Sequence, residues 1–329
     1  MTGLVGKIFG VTAADVYLSP APIYHAAPLR WCGAVHAFGG TVVMMEKFDA
    51  ERALAAIEKF KVTVTQMVPT MFVRILQLAD DVRNRYDVSS LRLVVHAAAP
   101  CPPEVKQSMI DWLGPILTEY YASTEGNGIA LISSPEWLRK RGSVGRSALG
   151  PVHICDDDGH ELPTGEVGTV YFERETLPFE YHKDPDKTAA AQHPAHPNWT
   201  AVGDLGYVDE EGYVFLTDRK AFMIISGGVN IYPQEVEDVL TVHPAVYDVA
   251  VIGVPDPEMG EQVKAVVQLR AGIPESPELA AELIDYVRAR VAHYKAPKSV
   301  DFTTELPRTP TGKLVKRRLT EIYAAPVRG

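Results

Sequence analysis

The sequence predicts an α/β fold: a parallel sheet clad by helices, then a small β-rich part, then a compact α+β unit. Three observations carry this reading. From about Thr41 to Tyr121, short β-branched or apolar runs alternate with amphipathic stretches. After about Pro135 the texture becomes turn-rich, and beyond Arg219 strands and one long amphipathic helix reappear.

Thr41 to Met45 reads as a strand, and Asp49 then caps a helix in which Leu54, Ile57 and Lys61 follow a three-to-four spacing. Val62 to Val68 is the next strand, closed by Pro69 and a helix to about Ala79. Leu91 to Val95 is another, followed by a helix that Pro102 and Pro103 open and that runs to Leu113. Ile116 to Tyr121 completes the series. In the second part, the turns Asp156 to Gly159 and Thr164-Gly165 punctuate short strands such as Val167 to Phe172. Phe179 to Pro197 lacks any period and reads as an irregular surface excursion. In the last part, strands are expected near Met223 to Ile225, Tyr247 to Val254 and Val263 to Leu269. A helix is expected over Pro277 to Ala292, where Leu279, Leu283, Val287 and Val291 recur every four residues. The expected division is residues 1–218 and 219–329, the first split again into 1–135 and 136–218, with the boundary at Asp218 to Ala221.

Composition narrows the function. The 329 residues are 46% hydrophobic, enough for a sizeable core, and the net charge of −10 argues against binding nucleic acid by phosphate neutralisation. Cys32, Cys101 and Cys155 have neither disulfide-framework nor thiolate-metal spacing, which fits a reducing, cytoplasmic setting. No apolar run reaches the length of a membrane span.

Five separated segments stand out: Pro22 to His25, Tyr121 to Glu125, Gly203 to Gly206, Asp218 to Glu237, and Pro310 to Lys313. Each has a plain structural reading by itself. Glu125 is then a surface loop carboxylate, Asp204 a turn aspartate, Arg219 a salt-bridged surface arginine, His25 a structural histidine and Lys313 a solvated lysine of a basic tail. Lys313 is not in a Walker A loop, because the first glycine of G-x-x-x-x-G-K falls on Pro307. His193 and His196 lack a third metal ligand nearby, and Pro194 and Pro197 interrupt any helix between them.

Read together, in this order and spacing, the five segments resemble the acyl-adenylate-forming (AMP-binding) superfamily, which includes acyl-CoA synthetases. The resemblance implies a large adenylate-forming domain followed by a small C-terminal lid domain. It implies that Tyr121 stacks on adenine beside Ala122, that Ala99 and Pro100 flank the base, and that the Asp204 carboxylate accepts both ribose hydroxyls. By the same resemblance Arg219 reaches the nucleotide, Thr124 meets the α-phosphate, and Glu125 helps hold Mg2+. His25 gates the acyl pocket, which parts of Gln66 to Thr70 and His96 to Pro100 line. Gly227 and Gly228 approach the pantetheine arm of coenzyme A. Lys313 bridges carboxylate and α-phosphate, where a placed charge gives ~10²- to 10³-fold in rate. Ala122 replaces the usual glycine, His96 to Pro100 lacks the family's glycines, and Ala221 occupies the hinge position.

The family's Ser/Thr/Gly-rich loop ending in Pro-Lys-Gly has no counterpart before Val11, where the likeness begins in mid-domain. The expectation is that Met1 is an internal start and that a second copy or a complementing upstream fragment covers the face left open. Two functions follow from the resemblance. One is an AMP-forming acid:CoA ligase that uses ATP, Mg2+, coenzyme A and a carboxylic acid, preferably fatty or steroid-like. The other is a truncated, non-catalytic nucleotide- or CoA-binding fragment, or a partner subunit of a split ligase. Acyl transfer to a carrier protein is a third.

Overall fold

Parallel strands buried on both faces need continuous apolar runs, and the first third of the chain supplies them. In a computed structural model, which describes residues 2–309 and 314–323, the chain opens with α1 (Thr2–Phe9), β1 (Val16–Ser19), α2 (Ala26–Ala37) and β2 (Thr41–Met44). Then come α3 (Ala50–Phe60), β3 (Val64–Met67), α4 (Pro69–Leu76), α5 (Asp80–Arg83), β4 (Leu93–His96), α6 (Pro103–Leu113) and β5 (Leu117–Ala122). A hairpin strand β6 (Ile129–Ser133), helix α7 (Ser134–Arg139) and β7 (Arg146–Ser147) end this sheet. Its strand order is β2-β1-β3-β4-β5-β6-β7, with β1 to β5 parallel and β6 and β7 antiparallel.

The expected strands are all present, their ends shifted by up to three residues. Asp49 caps α3 as the sequence predicts, accepting the Arg52 N–H at 2.9 Å. Helix α4 stops at Leu76 rather than near Ala79, because the chain restarts as α5, whose first turn carries Asp80 and Asp81. On one sheet face Leu18, Val94 and Leu117 pack against Leu54, Phe72 and Met109 of α3, α4 and α6. On the other face Tyr17, Val64 and Val95 pack against Trp31 and Val35 of α2. Each such fully buried apolar side chain contributes about 1.5–3 kcal/mol.

The turn-rich region forms a second, antiparallel sheet from β8 (Val152–Cys155), β9 (Gly168–Glu173), β10 (Trp199–Thr200), β11 (Asp204–Val208) and β12 (Val214–Arg219), ordered β10-β9-β11-β12 with β8 on β9. The excursion from Phe179 to Pro197 is not wholly irregular. It holds α8 (Pro185–Ala190), started by Pro185 and capped by Asp184, which accepts the Lys187 N–H at 3.0 Å.

A three-residue turn of tight helix, Lys220–Phe222, leads from β12 into the third sheet. This comprises β13 (Ile224–Ser226), β14 (Val229–Ile231), β15 (Val246–Asp256), β16 (Gly260–Leu269) and β17 (Ser299–Thr303), with α9 (Pro233–Thr241), α10 (Pro277–Arg288) and α11 (Lys316–Tyr323). Alternation along β15 separates its faces: Val249 and Val251 meet α9 and α10, while Ala250 and Ile252 meet Leu319 of α11. Helix α10 ends at Arg288, short of Ala292, and a tight turn over His293–Lys295 delivers the chain to Pro297. Helix α9 has no side-chain cap from its own Tyr232; instead Asp218 of β12 accepts the Gln234 N–H at 3.1 Å. Glu237 of the same helix accepts the Val251 N–H at 2.7 Å and pairs with Lys316 of α11 at 2.8 Å. Among the described residues, no helix is long and apolar enough to cross a membrane.

Candidate active site

Open parallel sheets take ligands beyond the carboxyl ends of their strands, and of the residues singled out in the sequence Tyr121, Asp204 and Arg219 meet at the end of β5, with Thr124 and Glu125 in the loop that follows it. Pairing of β11 with β12 sets Asp204 opposite Arg219. The buried Asp204 carboxylate is held from two sides: its Oδ2 accepts the Tyr121 hydroxyl at 2.6 Å, and its Oδ1 lies 3.0 Å from Arg219 Nε. Burial, and then the Asp204 charge, push the Tyr121 phenol well above its ordinary range, so it stays a neutral donor. The Tyr121 ring rests near Phe172 of β9, with centroids 5.8 Å apart.

The loop after β5 is fixed by its own side chains. Ser123 Oγ donates to Asn127 Oδ1 at 2.6 Å and accepts the Gly126 N–H at 3.2 Å, while Asn127 Nδ2 donates to the Thr200 carbonyl at 3.3 Å. Gly126 turns the loop with φ +75, and at Gly128 a Cβ would fall 2.1 Å from the Phe172 ring. Thr124 is thereby left exposed at the tip, its carbonyl 3.4 Å from Arg30 of α2. Glu125 Oε1 accepts the Tyr181 hydroxyl at 2.9 Å, and Lys187 of α8 lies 4.0 Å from the centre of the Tyr181 ring. Asn127, Tyr181 and Arg30 were missed by sequence reasoning. An aromatic pair, Phe179 and Tyr181, in an otherwise polar excursion was the available signal for Tyr181.

The loop from Ala97 to Pro100 runs beside this edge. Ala98 sits in the left-handed region at φ +76, which a side chain disfavours and which glycine adopts freely. Ala99 and Pro100 are exposed, and Ala122 is half-buried. Of the span His96 to Pro100, the His96 side chain is fully buried beneath the loop, edge-on to Phe72 at 5.3 Å. It lies 3.6 Å from Glu119, which pairs with the equally buried Lys106 at 2.6 Å. Burial, and then Lys106, hold the imidazole well below its usual range, so His96 is neutral.

Other candidates stand apart. His25 is the N-cap position of α2 without a side-chain cap bond, its ring 4.9 Å from Tyr24. Gly227 and Gly228 form the exposed β13–β14 turn with φ +57 and +79, and a Cβ on Gly227 would meet Met259 at 2.4 Å. Among the described residues no hydrogen bond or ion pair joins His25 or these glycines to the Asp204 cluster. Lys313 lies outside the described residues. His193 accepts the Ala195 and His196 N–H groups on Nδ1 and meets the Gly159 carbonyl on Nε2 at 2.7 Å, a structural role.

Glu125 and Thr124 offer hard oxygen donors, one of the Glu125 oxygens being taken by Tyr181. That set suits Mg2+, which draws most of its ligands from phosphate and water. Among the described residues, the one close group of three candidate metal ligands is the turn Asp156, Asp158 and His160, and it does not include Glu125.

Comparison with known proteins places these features in company. A family model described as AMP-binding enzyme matches residues 1–181, and one described as AMP-binding enzyme C-terminal domain matches residues 235–313. A putative acyl-CoA synthetase YngI of Bacillus subtilis is 33% identical over 96% of this chain and 58% of its own length. A feruloyl-CoA synthase of an Amycolatopsis species is 38% identical over 91% of this chain and 60% of its own. The solved amide bond synthetase McbA from Marinactinospora thermotolerans superposes with a TM-score of 0.84 at 32% identity, covering 98% of this chain and 65% of that one. The chain spans about three fifths of the length of these curated relatives.

Proposed function

This chain belongs to the AMP-binding enzyme family, and from that premise we propose that it serves an AMP-forming acid:CoA ligase. A carboxylate oxygen attacks the α-phosphorus of ATP, giving acyl-adenylate and pyrophosphate; the thiol of coenzyme A then attacks the acyl carbon and AMP leaves. The observation that carries the reading is the convergence of Tyr121, Asp204 and Arg219 beyond β5.

Each residue has a task in this proposal. Asp204 presents two oxygens to the vicinal ribose hydroxyls, an arrangement only a carboxylate offers among these side chains. The guanidinium of Arg219 stays paired with Asp204 while facing the nucleotide. The Tyr121 ring, with Ala122, Ala99 and Pro100 around it, takes the adenine face. Thr124, free at the loop tip, donates to the α-phosphate, and Glu125 with Thr124 holds Mg2+. When bound, that ion neutralises phosphate charge. His25 gates the acyl group, Gly227 and Gly228 admit the pantetheine arm, and Lys313 neutralises charge as the adenylate forms. The division at residue 218, with the third sheet as a lid, belongs to the same proposal.

A second reading within the same family is that the isolated chain binds nucleotide or coenzyme A without adenylating, as a non-catalytic fragment or a partner subunit of a split ligase. Pyrophosphate exchange separates the two: exchange by the chain alone supports the first, and exchange only after adding the upstream fragment supports the second. The nucleotide assignment itself is tested by Asp204→Ala, expected to weaken AMP binding by about tenfold or more through loss of the ribose acceptor. Unchanged AMP affinity in calorimetry counts against it.

A further inference from the structure

A flexible carboxylate loses freedom when it meets a cation, and one held in advance loses less. The chain builds such a hold for Glu125 from outside its own loop. In the segment leading to α8, Lys183 takes a left-handed backbone at φ +56, and the Asp184 N–H returns to the Tyr181 carbonyl at 3.2 Å. Asp184 then caps α8 and Pro185 starts it. The chain so doubled back brings Thr188 to Tyr181: Thr188 Oγ1 accepts the Tyr181 N–H at 2.9 Å and donates to the Asp184 carbonyl at 2.9 Å. Lys187 lies 4.0 Å from the centre of the Tyr181 ring, and Phe179 meets that ring edge-on at 5.4 Å. Backbone and ring are thus both fixed, and the hydroxyl beyond them donates to Glu125 Oε1 at 2.9 Å.

The same segment grips the loop a second time. Past α8 the Ala201 N–H bonds the Ala191 carbonyl at 2.9 Å, which joins the helix end to β10, and the Thr200 carbonyl of β10 accepts from Asn127 Nδ2 at 3.3 Å. The loop after β5 is therefore clasped at Glu125 and again at Asn127. The kind of donor matters. A phenol is neutral and orients the carboxylate without cancelling its charge. Lys187, which could cancel it, stays on the ring face and forms no ion pair with Glu125 among the described residues. With Oε1 taken, Oε2 is the oxygen left to a cation.

We infer that Tyr181 is a positioning residue of the metal site, its hydroxyl holding the Glu125 carboxylate so that a single oxygen is presented to the magnesium that accompanies ATP. The inference rests on the adenylation reading and adds a residue to that same site. Partners that hydrogen-bond a metal-ligating side chain typically carry ~10- to 100-fold of metal affinity.

The test is binding of Mn2+·ATP, followed by the electron paramagnetic resonance of the manganese, beside calorimetric binding of AMP without metal. Tyr181→Phe keeps the ring, its Lys187 contact and its backbone bond to Thr188. It is expected to weaken Mn2+·ATP binding ~10- to 100-fold while metal-free AMP binds as before. In a Glu125→Ala background the same substitution is expected to change nothing further, because Tyr181 then has no carboxylate to hold. Thr188→Val, which loosens Tyr181 from α8, is the second variant if the first does not fold, with a smaller loss in the same direction. Unchanged Mn2+·ATP affinity in Tyr181→Phe, an equal loss for metal-free AMP, the same loss repeated on top of Glu125→Ala, or AMP binding with no manganese held at the nucleotide each overturn the inference while the adenylation reading stands. A chain that binds neither AMP nor Mn2+·ATP overturns both.

Discussion

Removing Lys106 while leaving Glu119 in place isolates a carboxylate in the core below the Ala97 to Pro100 loop. The two groups are 2.6 Å apart, with Lys106 fully enclosed and Glu119 nearly so. At an effective dielectric of about 20 their gross attraction is roughly 6 kcal/mol, most of it offset by taking both charges out of water. Breaking such a pair from one side costs about 3–5 kcal/mol, because the remaining charge is stranded. Lys106→Met is therefore expected to lower stability by that amount at neutral pH, and Lys106→Met with Glu119→Met to recover most of it. The loss depends on pH with a definite sign. Burial already raises the Glu119 carboxyl above its ordinary 4.5 while Lys106 opposes the rise. Without Lys106 the folded-state value climbs further, so the protonated form suits the fold. Stability in the variant is then fully retained below the unfolded value and lost as pH rises through the folded one, and the deficit shrinks as pH falls toward about 4. Urea unfolding followed by tryptophan fluorescence reads this directly, since Trp137 lies 4.9 Å from the Lys106 ammonium. A deficit under about 1 kcal/mol, or one that does not change with pH, refutes the reasoning.

Ala98→Gly relieves the left-handed backbone at φ +76 and should stabilise the chain by roughly 0.5–1 kcal/mol; an unchanged or lower melting midpoint contradicts the strain. Asp238 is pushed up to about 7, chiefly by burial and then by Glu237, Asp218 and Glu235, against the pull of Gln234. Its contribution to stability is present below its ordinary 3.8 and fades as pH rises through 7. Asp238→Asn should remove a slope of up to ~1.4 kcal/mol per pH unit between those values, as measured by denaturation across that range. Lys313→Ala in the catalytically competent assembly should cost adenylation ~10²- to 10³-fold. Thioester formation from supplied adenylate should persist, and equal loss of both half-reactions removes the role given to Lys313.

The elements that depend on local signals were legible. The strands from Thr41 to Ala122 announce themselves through β-branched runs, and Asp49 and Pro103 mark helix starts because capping and proline act within one turn. Helix α8 escaped notice because six residues are too few to show an apolar period, although Asp184-Pro185 carried the start signal. The Asp204 cluster was assembled from segments more than eighty residues apart only through their resemblance to a family. Nothing in spacing alone brings Tyr121 to Asp204, since the contact is made by a strand end and a separate sheet. The burial of His96 was not legible for a related reason: strand alternation turns it into the layer where Lys106 and Glu119 meet, and a pair thirteen residues apart across a helix and a strand leaves no periodic trace.

The carboxylate that closes the first turn of α9 comes from β12, on the far side of the turn at Lys220–Phe222. A helix capped by its own chain carries its cap wherever it goes, whereas this one leaves its cap behind in any rotation about that turn. The Gln234 N–H, left without its carboxylate, would then turn to solvent at a cost of about 1 kcal/mol. Were the third sheet to rotate as proposed, amide hydrogen exchange at Gln234 would report it without any ligand or turnover.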